Sequence, residues 1–328
     1  MHSHFVPRAW PDLAARFGGA DWPGIRHSAP GQAMLLVGER DFRPVHAALW
    51  DAQERLAAMD RDGIDVQVLC ATPFLFGYQR TPEQGLGSAQ LFNDAALALC
   101  AQATGPNAGR LKALCQVPLQ DTDLACRELT RCMRAGHVGV QIGNHVGPRN
   151  LDDEGIVNFL QHCAAENAPV LVHPWDMMAA ERTRQYMMGW TVGMPAETQL
   201  AIVSMMLGGA FDRLPRGLRI CFAHGGGSFA FLLGRLENAW HNRDIARGQS
   251  RHPPSHYCDR FSVDSAVFDQ RALRLLLEVM GAERVMLGSD SPFPLGELRV
   301  GSLVRESGMT EQAKAKVLGG NAARFFGI

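Results

Sequence analysis

MHSHF, residues 1–5, decides how the chain is read, because its two histidines are either ligands or a frayed end. In an extended strand residues i and i+2 face the same side, so His2 and His4 can aim both imidazoles at one metal ion. That requires a strand at the very start and further ligands at equivalent places downstream. Short β-branched or apolar runs do recur: VQVLC (66–70), KALCQV (112–117), VGVQIG (138–143), PVLVHP (169–174), RICFAH (219–224), FSVDSA (261–266) and VMLGSD (285–290). Helical patterns separate them at 91–103, 123–136, 156–167, 228–241 and 269–281. Alternation of buried strand and helix predicts a parallel α/β fold.

Seven such strands are one short of a (β/α)8 barrel, and the eighth would have to end at MHSHF. In barrels of this kind the C-terminal end of each strand faces the active site. Here the runs close on His173, His224 and Asp290, and His2 and His4 are the same feature at the end of a first strand. The body of that strand is missing ahead of Met1, which predicts a truncated first strand and further apolar residues upstream. The expected fold is a TIM-like barrel, one domain over 1–328, with irregular insertions over its mouth. Three stretches suggest those insertions by their Gly, Pro and Trp content: 5–42, 76–88 and 247–257.

A net charge of −1 gives no general attraction for nucleic acid or an anionic membrane. No stretch has signal-peptide or membrane-spanning character, so a cytoplasmic protein is expected. The eight cysteines form no CxxC pair and several sit in apolar runs, as small hydrophobes in a reducing compartment do. A nucleotide-binding GxGxxG or P-loop is absent. HGGG at 224–227 is reminiscent of an esterase oxyanion loop, but no GxSxG elbow accompanies it.

Three histidines and an aspartate, His2, His4, His173 and Asp290, suit Zn²⁺ with room for a water of lowered pKa. His224 is either a further ligand or a nearby base. Asp264 faces inward as a partner to a ligand or as a buried structural acid. His145, just after the fourth strand, is a minor candidate for touching substrate. The remaining histidines have no partner visible in the sequence.

The order HxH, strand-five His, HGGG, strand-eight Asp resembles the amidohydrolase superfamily. The likeness runs the length of the chain through FRPVHAALWD, DVQVLCATP, QVPLQD, GVQIGNH, LVHPWDMM, MPAETQLAI, HGGGSFAFLLGR, VDSAVF and GSDSPFPLGE. LVHPWDMM and MPAETQ are narrower, and resemble a branch that removes CO₂ without oxidation from an unsaturated amino dicarboxylate semialdehyde of tryptophan and nitrobenzoate breakdown. The resemblance implies Zn²⁺ on His2, His4, His173 and Asp290, and His224 as acid and base. It also implies substrate contacts from Arg43, Arg235, Phe293 and Trp190, with Arg235 supplied by the other subunit of a homodimer. Arginines suit planar, bidentate capture of a small dicarboxylate. Ser291 stands where an aromatic residue is expected, which predicts a looser wall beside Phe293.

Two alternatives use the same barrel: a decarboxylase of an aromatic acid, and a mononuclear metal-dependent lactonase or amidase. A binuclear site bridged by a modified lysine is excluded. The only central lysine, Lys112, begins its strand and VGVQIGN ends without one.

Overall fold

The structure is a computed structural model and describes residues 1–328. Thirteen strands follow in chain order: β1 (Ser3–Phe5), β2 (Pro23–Ala29), β3 (Gln32–Val37), β4 (Arg40–His46), β5 (Gln67–Ala71), β6 (Leu111–Ala113), β7 (Val140–Gly143), β8 (His145–Val146), β9 (Arg149–Asn150), β10 (Val170–His173), β11 (Ile220–Phe222), β12 (Ser262–Asp264) and β13 (Val285–Met286). Parallel pairing gives one sheet in the order β1-β5-β6 and another in the order β13-β12-β11-β10-β7.

Hydrogen bonds cross both seams between these sheets. At one, the Cys115 N–H donates to Gly139 O at 3.0 Å and the Gln141 N–H to Cys115 O at 2.7 Å. At the other, the His4 N–H donates to Ser291 O at 2.7 Å and the Asp290 N–H to His2 O at 3.0 Å. The eight parallel strands therefore stand in barrel order, with β1 between β5 and β13. A strand does lie at MHSHF: Ser3, His4 and Phe5 pair with Leu69, Cys70 and Ala71.

The strands obey a period of two. Val170, Val172, Ile220, Phe222, Val263 and Val285 point outward into the main core, against helices such as Thr122–Ala135, Glu154–Ala165 and Met194–Leu207. Val68, Cys70, Leu114, Leu171, Cys221, Ala223 and Met286 point inward, over Phe325 and Phe326 of the last helix. His173 lies two residues beyond Leu171 and so stands one layer above it on the same inner face. Small inward side chains such as Cys70 and Ala223 leave the upper layer to the polar groups.

Two of the expected irregular excursions are regular. Within 5–42, strands β2 and β3 pair antiparallel and continue into β4, a three-stranded sheet whose residues reach the cavity described below. Within 76–88, a helix begins at Pro82 and runs to Cys100. Thr81 and Gln84 form a reciprocal capping box and Pro82 fits the first turn. Its glycines read as loop but serve packing: a Cβ on Gly87 would come within 2.6 Å of the Phe17 ring. The third stretch holds only a short 3₁₀ turn at Pro254–Tyr257 and the tail of another at Asp244–Arg247. No helix is long and apolar enough to cross a membrane.

Candidate metal centre and active site

The strand ends bring five side chains together. His4 Nε2 lies 3.0 Å from Asp290 Oδ1 and 3.3 Å from His2 Nε2. His2, His173, His224 and Asp290 each place a ligand atom within 4.8 Å of the others. The His173 ring centroid is 4.9 Å from those of both His2 and His4, and 5.1 Å from that of His224. Four of the five are buried, and His224 is half-buried. His224 and Asp290 adopt left-handed backbone with φ of 54°, a conformation that non-glycine residues rarely hold and that clusters at functional sites.

The hydrogen bonds behind the rings fix their tautomers. His2 Nδ1 faces Asp264 Oδ2 at 2.7 Å, and His173 Nδ1 faces the Pro174 carbonyl at 2.8 Å. A carbonyl and a carboxylate only accept, so both Nδ1 atoms carry the proton. His4 Nδ1 faces Cys70 Sγ at 3.6 Å, and that thiol already donates to Ser3 O at 3.1 Å. The sulfur therefore accepts from His4 Nδ1–H. All three rings turn an unprotonated Nε2 toward one another and toward Asp290. His173 Nε2 is buried with no hydrogen-bond partner at all. Inward lone pairs beside a carboxylate repel unless a cation sits among them, and this donor set fits a divalent metal.

Burial lowers the His4 pKa, but Cys70 and Asp290 outweigh it and push the ring up to about 10, so the bare Nε2 there is the form a cation selects by displacing a proton. Burial pulls His173 well below the usual imidazole value, helped by His2, His4 and His224, so it stays neutral as a ligand must. Burial pushes the Asp290 carboxyl up, but the imidazoles of His224, His4 and His2 around it outweigh that and hold the group well below the carboxylate range. For His224, burial lowers the pKa and the nearby carboxylates of Asp290 and Asp264 more than restore it, so the ring holds a proton more firmly than a free imidazole. His224 Nε2 is 3.7 Å from Asp290 Oδ2.

A cavity of about 540 Å³ opens over this cluster, with His4, His173 and Asp290 in its lining. Arg43 enters from β4, its guanidinium 4.9 Å from the Phe293 ring centroid, 5.2 Å from Trp190 and 5.5 Å from Phe42. Burial lowers the Arg43 pKa, and Asp290 opposes that. Trp190 also lines a second cavity of about 400 Å³ that contains His224 and meets the first at Asp290.

Of the residues expected at the site, the structure gathers His2, His4, His173, His224, Asp290, Arg43, Trp190 and Phe293. Arg235 is not among them: it is exposed on the outer helix Phe229–Asn242 and lines neither cavity. His145 also stays off the wall and bonds the carbonyls of Gly147 and Asp176. Ser291 lies at the barrel seam beside Ser3 and does not line the cavity, where the aromatic residue is Phe293, 5.3 Å from the His4 ring. Cys70 was read only as a core residue, since nothing in VQVLC shows which ring it backs.

Asp264 is the group that orients His2, and its Oδ1 also accepts the Gly225 and Ala266 N–H groups. Asp264→Asn puts an NH₂ against one of these donors and is expected to weaken metal affinity roughly 10–100-fold. Competition with a chelator measures this, and unchanged affinity would free His2 from dependence on Asp264.

Comparison with known proteins identifies the class. The profile of the amidohydrolase family matches residues 1–328, and the chain belongs to that family. A 2-amino-3-carboxymuconate-6-semialdehyde decarboxylase of Dictyostelium discoideum is 40% identical over 331 residues, covering 100% of this chain and 91% of the relative. The crystal structure of a 5-carboxyvanillate decarboxylase from Sphingomonas paucimobilis superimposes with a TM-score of 0.76 at 30% identity, covering 85% of this chain and 84% of that one. A variant of the corresponding enzyme from Novosphingobium aromaticivorans, solved with manganese and a nitrobenzoic acid, gives 0.75 at 25%, covering 85% and 82%. Within its family the chain is a metal-dependent carboxy-lyase, and the lactonase or amidase alternative gives way.

Proposed function

We propose that the chain is a Zn²⁺-dependent, non-oxidative decarboxylase converting 2-amino-3-carboxymuconate 6-semialdehyde to 2-aminomuconate 6-semialdehyde. The observation that carries this is the set of three inward Nε2 atoms and Asp290 at the floor of an aromatic cavity whose one arginine is Arg43. The likeness to the Dictyostelium enzyme supports the choice of substrate. The chain works as a single domain, in the cytoplasm, where its eight free cysteines stay reduced.

His2, His4, His173 and Asp290 hold the metal. When bound, it supplies Lewis acidity and lowers the pKa of water. Arg43 binds a substrate carboxylate, while Phe293 and Trp190 sandwich the conjugated chain and exclude solvent. His224 delivers a proton at Nε2 to the carbon that bears the departing carboxylate. The C–C bond to that carboxylate then breaks, its electron pair restores the conjugated system, and CO₂ leaves.

Loss of the substrate's conjugated absorbance with one CO₂ released per turnover, on a preparation of known metal content, tests the proposal. Inertness of fully metallated protein toward the semialdehyde would overturn it. A second reading, decarboxylation of an aromatic acid, is favoured by the aromatic walls and by the carboxyvanillate enzymes. The same assay on 5-carboxyvanillate decides between them.

Arg43 is the only arginine or lysine in this chain's cavity lining, so it offers a guanidinium to just one of the two carboxylates of the proposed substrate. Arg235 of a second subunit meets the other in the proposal. It shares an exposed helix face with Phe231, four residues earlier and 78% exposed. Mixing the weakly active variants Arg43→Ala and Arg235→Ala, with subunit exchange, is expected to restore roughly a quarter of all sites. Activity unchanged after proven exchange would place Arg235 in cis or outside the reaction.

A further inference from the structure

Helix Met194–Leu207 carries Glu197 beneath the cavity rim, with its side chain buried and the residue only 5% exposed. Its Oε1 accepts the Met178 N–H at 2.7 Å, and its Oε2 accepts the Asn144 side-chain amide at 2.8 Å. Asn144, just past β7, accepts the Trp175 N–H on Oδ1 at 2.9 Å. These links dictate one another. The Trp175 N–H can only donate, so Asn144 turns its oxygen there and its NH₂ toward Glu197. Glu197 then meets a donor at each oxygen, the arrangement that suits the ionised carboxylate best and works against burial, which raises its pKa. Glutamine would set an NH₂ against one of them.

The two backbone amides held in this way bracket the segment that follows His173. Trp175, Asp176 and Met177 of that segment line the cavity. Trp175 is pinned again by its Nε1–H, which donates to His145 O at 2.8 Å, and by edge contact with Tyr78 at 5.1 Å. Met177 packs on Gly193, where a Cβ would come within 2.9 Å of the Met177 Cβ. No arginine or lysine pairs with Glu197. Burying a carboxylate without a cation is a costly way to tie a loop. The amides it holds, Met178 directly and Trp175 through Asn144, belong to the segment that follows His173, which gives that cost a purpose.

We infer that Glu197 is a positioning residue for the decarboxylase site: through Asn144 and Met178 it sets the Trp175–Met177 wall against which the substrate's unsaturated chain lies. The substrate named here rests on the function proposed above, whereas the clamp itself does not. The test compares Glu197→Gln, Glu197→Asp and Asn144→Ala with the wild type by amide hydrogen exchange, metal content and steady-state kinetics on the semialdehyde. Glu197→Gln should speed exchange at Trp175 and Met178 roughly tenfold or more, the scale of losing a charged hydrogen-bond acceptor. KM should rise about tenfold with kcat held within about threefold, the pattern of lost ground-state positioning. Metal content should stay unchanged, because no metal-site residue is touched. Glu197→Asp should recover part of both losses. Asn144→Ala should release Trp175 alone, which keeps the clamp testable if the Glu197 variants fail to fold. Unchanged exchange at both amides overturns the inference, as does faster exchange with unchanged KM. If the wild type leaves the semialdehyde intact, the function proposed above falls, and the exchange result by itself upholds or overturns the clamp.

Discussion

His173→Ala and Asp290→Ala are expected to lose most of the bound metal and, with it, CO₂ release. Each removes one of four groups that converge on one point, and each leaves its neighbours uncompensated. His173 offers an Nε2 with no other partner, so its loss removes a ligand and nothing else. Asp290 is the only carboxylate within the cluster, and without it His4 and His224 lose the anion that both face. The loss of affinity should exceed the roughly 100-fold upper limit typical of residues behind a ligand. Metal analysis of purified protein checks this, and full occupancy in both variants would sink the assignment.

Replacing His224 by Asn should separate binding from chemistry. The three inward Nε2 atoms and Asp290 remain, so much of the metal should stay. Turnover should nevertheless fall by roughly 10²–10⁴-fold, the span for a positioned acid or base. In energy this is about 3–5 kcal/mol of lost barrier reduction, at 1.36 kcal/mol per decade. A near-normal kcat with metal bound would mean that the proton comes from elsewhere. The geometry argues against that, because His224 lines the second cavity beside Asp290, its Nε2 3.7 Å from the carboxylate.

Strand ends were the most legible part of the chain, and for a physical reason. A parallel barrel sends one end of every strand to a single mouth, so a polar residue closing an apolar run can be placed without knowing its contacts. His173, His224 and Asp290 follow from that rule, and so does the reading of His2 and His4. What escaped depends on partners remote in sequence. Cys70 looks like any inward cysteine until its sulfur is found behind His4, 66 residues away. Asp264 was left between two roles because His2 lies 262 residues earlier. Glu197 lies in MPAETQ and Asn144 in GVQIGNH, but those motifs carry only the resemblance, and nothing in the sequence shows that a helical glutamate, ordinarily solvated, is buried against that asparagine. The sheet β2–β4 was hidden for a different reason: its glycines and prolines obscure the alternation that marks a strand. The helix at Pro82 was hidden by Gly85 and Gly87, whose missing side chains make room for Gln120 and Phe17.

The seam between β1 and β13 bears on how such a chain is made. Across 287 residues the Ser289 hydroxyl donates to His2 O at 3.1 Å, so one edge of β1 is covered only by chain made long after it. Strand β1 can pair with β5 early, but its opposite edge stays bare until nearly the whole polypeptide has been synthesised. A bare strand edge invites pairing with the wrong neighbour. His2 and His4 are on that strand and Asp290 is on the element that finally covers it. A cation held by these three side chains would join the two edges of that seam and favour the one pairing that completes the ring.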